Sequence, residues 1–142
     1  MVKPVPILFV LLLLASCAAA PAPTPVCTHR DEADEKSIGY CQAVRVGNDL
    51  HISGVTSSGP MEQAIPRVYD ELKIILEANG LTFANVAKEN VYSTDIDAFI
   101  KASAARRPYY GPNLPAATWV QVQRLFRPTY VVEVELVAHY PK

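Results

Sequence analysis

One amphipathic stretch limits this chain more than any other feature. Ile65, Val68, Tyr69, Leu72, Ile75 and Leu76 recur at the spacing of one helical face and predict a helix over about residues 62–79. Such a helix needs a second layer to cover its apolar side. Gly80 supplies its stop, because glycine tolerates the left-handed conformation found there. Pro66 is tolerable in the first turn and would kink the helix if deeper. The flanking segments supply the second layer. Residues 40–46 alternate and end at a Gly47-Asn48 turn, residues 49–53 form a second strand, and the two predict a hairpin. Residues 54–60 are loop chemistry. Residues 86–94 read as a strand, and Asp95 or Asp97 caps a shorter helix through about Arg106. Residues 108–113 read as loop and residues 118–125 as a strand. Residues 130–139 are the clearest strand, with Glu133 and Glu135 on one face and Val132, Val134 and Leu136 on the other. The order is β-β-α-β-α-β-β without an internal repeat. This is an α+β fold, a mixed sheet with two helices on one face. The other face mixes apolar and polar residues and is a candidate for subunit contacts.

Hydrophobic residues make up 50% of the 142, but much of that excess lies at the N-terminus. Lys3 precedes an apolar run from Ile7 to Leu14, too short for a bilayer, which needs about 20 residues. Leu14-Ala15-Ser16-Cys17 has the pattern of a bacterial lipobox and resembles a lipoprotein signal, in which cleavage leaves Cys17 as a lipidated N-terminus. The alternative is an ordinary secretory signal cut nearby. The expected organisation is a signal peptide over 1–16, a tether over 17–37 and one domain over 38–142. The tether opens with Pro/Ala-rich sequence, and residues 30–36 read as a solvated approach to the domain. A lipid on Cys17 makes the membrane a partner and places the domain in the cell envelope, on the periplasmic side and at the outer membrane where one exists.

The charge balance is 13 Lys+Arg against 14 Asp+Glu. That balance lacks the basic excess that would draw nucleic acid to the chain, so no nucleic-acid partner is expected. Cys27 and Cys41 remain beside Cys17. In an exported protein they can pair, or stay as two free thiols. No CxxC occurs, and His29, His51 and His139 are scattered, so neither a metal nor another cofactor is expected.

Four stretches resemble the RidA/YjgF family of imine/enamine deaminases: residues 39–48, Ile52-Ser53-Gly54, residues 87–99, and Leu114-Pro115-Ala116-Ala117 through Val122 followed by Val132-Glu133-Val134-Glu135. Each motif is weak alone; four in order, over about residues 38–140, are specific. The resemblance implies the same element order, a homotrimer, and small-molecule clefts between subunits. It also implies hydrolysis of a reactive imine, such as a 2-imino acid, to a ketone and ammonia.

Tyr40, Ser53, Gly54 and Glu133 match residues that line the family's pocket, with Glu133 the candidate catalytic group. Two positions depart from the pattern. The family's Pro-Ala-Arg motif reads Pro115-Ala116-Ala117, so the arginine that grips a substrate carboxylate is missing. Losing such a charge-assisted contact costs about 1.5–3 kcal/mol per bond. Two residues on, where the family often has a small residue such as cysteine, stands Trp119, whose bulk would narrow or reshape the cleft. Arg124, Arg106 and Arg107 fit structural roles better than that of a substitute. The expected function is a small-molecule cleft with divergent or reduced deaminase activity. The competing expectation is a trimeric binding or scaffold module without chemistry. A nuclease reading lacks both a basic face and a metal cluster.

Overall fold

A computed structural model describes residues 22–141. The expected signal peptide over 1–16 and the expected lipidation site Cys17 lie outside the described residues. Six strands form one sheet: β1 (Val26–Thr28), β2 (Ala43–Val46), β3 (Asp49–Ser58), β4 (Val86–Ser93), β5 (Ala116–Gln121) and β6 (Tyr130–His139). Their spatial order is β1-β2-β3-β6-β4-β5. All neighbours are antiparallel except β4 and β5, which are parallel. A parallel pair needs a crossover. It is made here by α3 (Ile96–Ala102), a 3₁₀ turn (Ser103–Arg106) and the single turn α4 (Arg107–Tyr110).

The long helix, α2, runs Met61–Ala78 and continues through Pro66. Its stripe of Ile65, Val68, Tyr69, Leu72 and Leu76 is fully buried against Leu50, Ile52, Val134 and Leu136 of the sheet. Gly80, at φ 71°, closes it: the Leu81 amide donates to the Leu76 carbonyl at 2.9 Å. Asp95 caps α3, its carboxylate accepting from the Ala98 amide at 2.9 Å.

The core order expected from the sequence is therefore present as β2-β3-α2-β4-α3-β5-β6, and the structure corrects its details. Residues 30–36, read as a solvated approach, contain most of a helix, α1 (Glu32–Ile38), and β1 adds a strand beside β2. Local charge density hides α1, because its one fully buried side chain, Glu35, is acidic. Tyr40 precedes β2 instead of lying on it. The loop expected over 54–60 is mostly strand, since β3 continues to Ser58 after an irregularity in its pairing with β6. The strand expected over 118–125 ends at Gln121, and the loop expected over 108–113 begins with α4.

Candidate functional site

The irregularity in β3 builds the site. Ile52 pairs with Leu136 but Val55 pairs with Val134, so β3 carries one residue more than β6 over that interval. A bulge of this kind bends the strand and re-aims its side chains. Ser53 and Gly54 occupy it. The Ser53 amide donates to the Gln42 carbonyl at 2.9 Å, and its hydroxyl donates to the Cys41 carbonyl at 2.7 Å. The bulge is thereby tied to the segment that carries Tyr40.

Gly54 lies beneath the side chain of Glu133. A Cβ at Gly54 would come within 2.7 Å of both Cγ and Cδ of Glu133, closer than real Cβ contacts allow. Only glycine lets the carboxylate lie there. Tyr40, Ser53, Gly54 and Glu133 consequently line one open cleft of about 760 Å³, on the face of the sheet that α2 leaves uncovered. Burial, together with the like charge of Glu135, raises Glu133 above the ordinary carboxylate range. Glu135 itself accepts from Asn90 at 2.7 Å and from Tyr92 at 3.0 Å. Burial and the charges of Glu35, Asp34 and Asp31 raise the Tyr40 phenol, which stays neutral and able to donate.

The cleft also contains residues that sequence reasoning passed over. Asp31 and Asp34 come from α1 and its cap, while Phe126 and Arg127 come from the segment before β6. Nothing in local periodicity marks them, because they reach the cleft through tertiary packing. Arg30, also in the lining, pairs with Glu71. Arg127 forms no ion pair among the described residues, and its guanidinium carbon lies 6.0 Å from the centre of the Tyr130 ring.

Ala117 and Trp119 lie elsewhere, on edge strand β5, and line no part of this cleft within one chain. Ala117 is exposed opposite Glu89. Trp119 turns into the helix layer. Its ring meets Phe99 edge-on at 5.1 Å, and its indole N–H donates to Glu89 at 3.0 Å. Glu89 is fully buried and also accepts from Tyr69 at 2.7 Å, from Tyr110, and from Arg106 at 3.3 Å. Arg106 is thus committed to Glu89, and Arg124, which does not line the cleft, donates to the Phe126 carbonyl at 3.4 Å. The expected cleft-narrowing tryptophan is, in this chain, part of a buried clamp.

Cys27 and Cys41 form a disulfide with Cα atoms 5.7 Å apart. It ties β1 to the segment carrying Tyr40, and α1 lies in the loop it closes.

The family model described as Endoribonuclease L-PSP matches residues 32–140. A RutC family protein of Pyrococcus abyssi is 31% identical over 118 residues, covering 76% of this chain and 92% of that protein. A 2-iminobutanoate/2-iminopropanoate deaminase of Dermatophagoides farinae is 25% identical over 95 residues, covering 61% of this chain and 74% of that protein. Among solved structures, a Mycobacterium tuberculosis member of the YjgF/YER057c/UK114 family superposes with a TM-score of 0.75 at 26% identity, covering 82% of this chain and all (100%) of that one. The match across the whole folded region, joined to the shared sheet topology, means that the chain belongs to the Endoribonuclease L-PSP family, the RidA/YjgF group.

Proposed function

We propose that this protein is an envelope-anchored member of the family whose clefts bind small imines or enamines and hydrolyse 2-imino acids slowly. The observation that carries the proposal is the convergence of Tyr40, Ser53, Gly54 and Glu133 in one cleft, with the Glu133 carboxyl held above its usual range. A carboxyl whose protonated form is favoured in this way is suited to give a proton and then to take one back. Glu133 protonates the imine nitrogen and then takes a proton from the water that adds to carbon. The resulting carbinolamine collapses to a ketone and ammonia, and the Tyr40 phenol orients the polar end of the substrate. The named deaminase among the relatives supports this reaction class.

Activity toward 2-imino acids is weak because Ala117 supplies no charge for the carboxylate. Arg127, in the cleft lining and without an ion pair among the described residues, is the cation placed to compensate in part. A homotrimer belongs to the same proposal, because Ala117 meets a cleft only when a neighbouring subunit brings its β5 there. Lipidation of Cys17 supplies the anchor, on the strength of Leu14-Ala15-Ser16-Cys17.

Freshly generated 2-iminobutyrate tests the reaction through ammonia release. The protein is expected to be at least about tenfold slower than an arginine-containing relative assayed beside it. Equal rates would refute the argument from Ala117. The second reading, a binding module without chemistry, is favoured by the committed state of Arg30 and Arg106. It becomes the better one if Glu133→Gln leaves the residual rate unchanged.

A further inference from the structure

Beside the cleft, at the N-terminal edge of the sheet, three side chains stand in a row. The Cys27 sulfur lies 3.1 Å from Nε2 of His29, and Nδ1 of His29 lies 2.7 Å from Oε2 of Glu35. Glu35 is held from the other side by the backbone amides of Arg30 at 2.7 Å, Asp31 at 2.9 Å and Gln42 at 2.8 Å. Its position is fixed by the fold, and it fixes the imidazole in turn.

The chemistry of the row follows from its donors and acceptors. An ionised carboxylate only accepts, so Nδ1 of His29 carries a hydrogen. Nε2, which faces the sulfur at 3.1 Å, is then the ring position placed to exchange a proton with it. A cysteine sulfur against an imidazole that is oriented by a carboxylate is the arrangement that favours thiolate over thiol. Here that sulfur is half of an accessible bond: Cys27 is exposed and Cys41 half-buried.

We propose that Cys27–Cys41 is an exchange-active disulfide that reacts with thiols, with His29 as the proton carrier for the Cys27 sulfur and Glu35 as the residue that positions His29. A substrate thiolate attacks the Cys41 sulfur and bonds to it. The Cys27–Cys41 bond breaks, its electron pair leaves on the Cys27 sulfur, and Nε2 of the His29 imidazolium delivers a proton there. A second substrate thiolate then attacks the substrate sulfur of the mixed disulfide and expels Cys41 as a thiolate, which is protonated by water. The protein disulfide is reduced by two electrons to two thiols, and two substrate thiols are oxidised to one disulfide. Cys27 is the better leaving group because the imidazolium stabilises the negative charge that develops on its sulfur before the proton is transferred, and a better leaving thiol departs faster. The substrate class is any thiol that reaches this edge of the sheet. Glu35 also lines the imine cleft, but thiol exchange needs none of the imine chemistry and stands whether or not that chemistry is found.

The test uses the full-length protein and dithiothreitol. Cleavage of the bond is followed by acid quench and alkylation from about pH 5.5 to about pH 8.5, and each rate constant is divided by the thiolate concentration. The wild type is expected to show a normalised constant about fivefold higher at the acid end, where proton delivery to the leaving sulfur is favoured. His29→Gln is expected to be flat and equal to the wild type's alkaline value. In the reduced protein at about pH 6, iodoacetamide is expected to label Cys27 ahead of Cys41. A flat wild-type profile overturns the proposal by itself, even if the variant fails to fold. A slope retained in His29→Gln overturns it as well.

Discussion

Gly54 and Glu133 show how one missing side chain sets another's chemistry. Gly54→Ala would force the Glu133 carboxylate off its site, since the new methyl comes within 2.7 Å of Cδ. The expected cost is about 1–3 kcal/mol in denaturant unfolding, together with loss of whatever turnover Glu133 supports. An unchanged midpoint and rate would show that Glu133 has room to move. Glu133 and Glu35 are carboxylates with opposite pH signatures. Burial raises Glu133, so its ionisation opposes folding at neutral pH, and that penalty disappears as pH falls toward the ordinary carboxylate range. For Glu35, burial acts upward but is outweighed by hydrogen bonds from Asp31, His29, Arg30 and Gln42, which hold it at about 2. Its contribution is complete above its unfolded value and is lost as pH falls toward about 2. Glu35→Gln is expected to cost about 2 kcal/mol at neutral pH and progressively less on acidification, as read from urea midpoints across that range. A pH-independent difference would mean that the charge is not what holds α1.

At the scale of elements, edge strand β5 depends on a buried clamp. It pairs only with β4 in the sheet order, and Trp119 joins it to the helix layer through Glu89. Trp119→Phe keeps an aromatic ring against Phe99 but removes a donor from a buried carboxylate. The expected cost is about 1–3 kcal/mol, with faster amide exchange concentrated in β5. Exchange that speeds up evenly over the sheet would contradict the clamp. For the same reason Trp119→Cys is expected to loosen β5, whatever it does to a cleft between subunits. At the opposite edge, the disulfide closes a loop that contains α1, with a sequence separation of 14. Replacing Cys27 and Cys41 by serine together is expected to cost about 3 kcal/mol, as read from thermal or urea unfolding. A loss well below about 1 kcal/mol would show that Glu35 alone docks the helix.

At the scale of the molecule, the face of the sheet opposite α2 is left uncovered, with Val44, Val131 and Val137 half-buried on it beside Glu133 and Glu135. A trimer is the assembly proposed to cover it. Light scattering at micromolar concentration is expected to give three times the chain mass, and a monomer mass would reject that proposal. The amino-acid sequence alone carried the element order, because apolar periodicity is local: the stripe of α2 and the alternation of β6 are written in consecutive residues. The resemblance also picked out Tyr40, Ser53, Gly54 and Glu133, which tertiary structure then gathered into one cleft. Three matters were decided only by the tertiary structure. The role of Glu35 depends on backbone amides at three other positions, so a charged helix reads as solvated until the chain closes around it. The direction of Trp119 depends on Glu89, a strand away, offering an acceptor on the helix side. The third matter, the contact of Cys27 with His29 and the bond of Cys27 to Cys41, follows from β1 pairing with β2, a register no spacing between cysteines encodes. In each case a polar or sulfur group found its partner across elements, where the periodicity that marks helices and strands carries no signal.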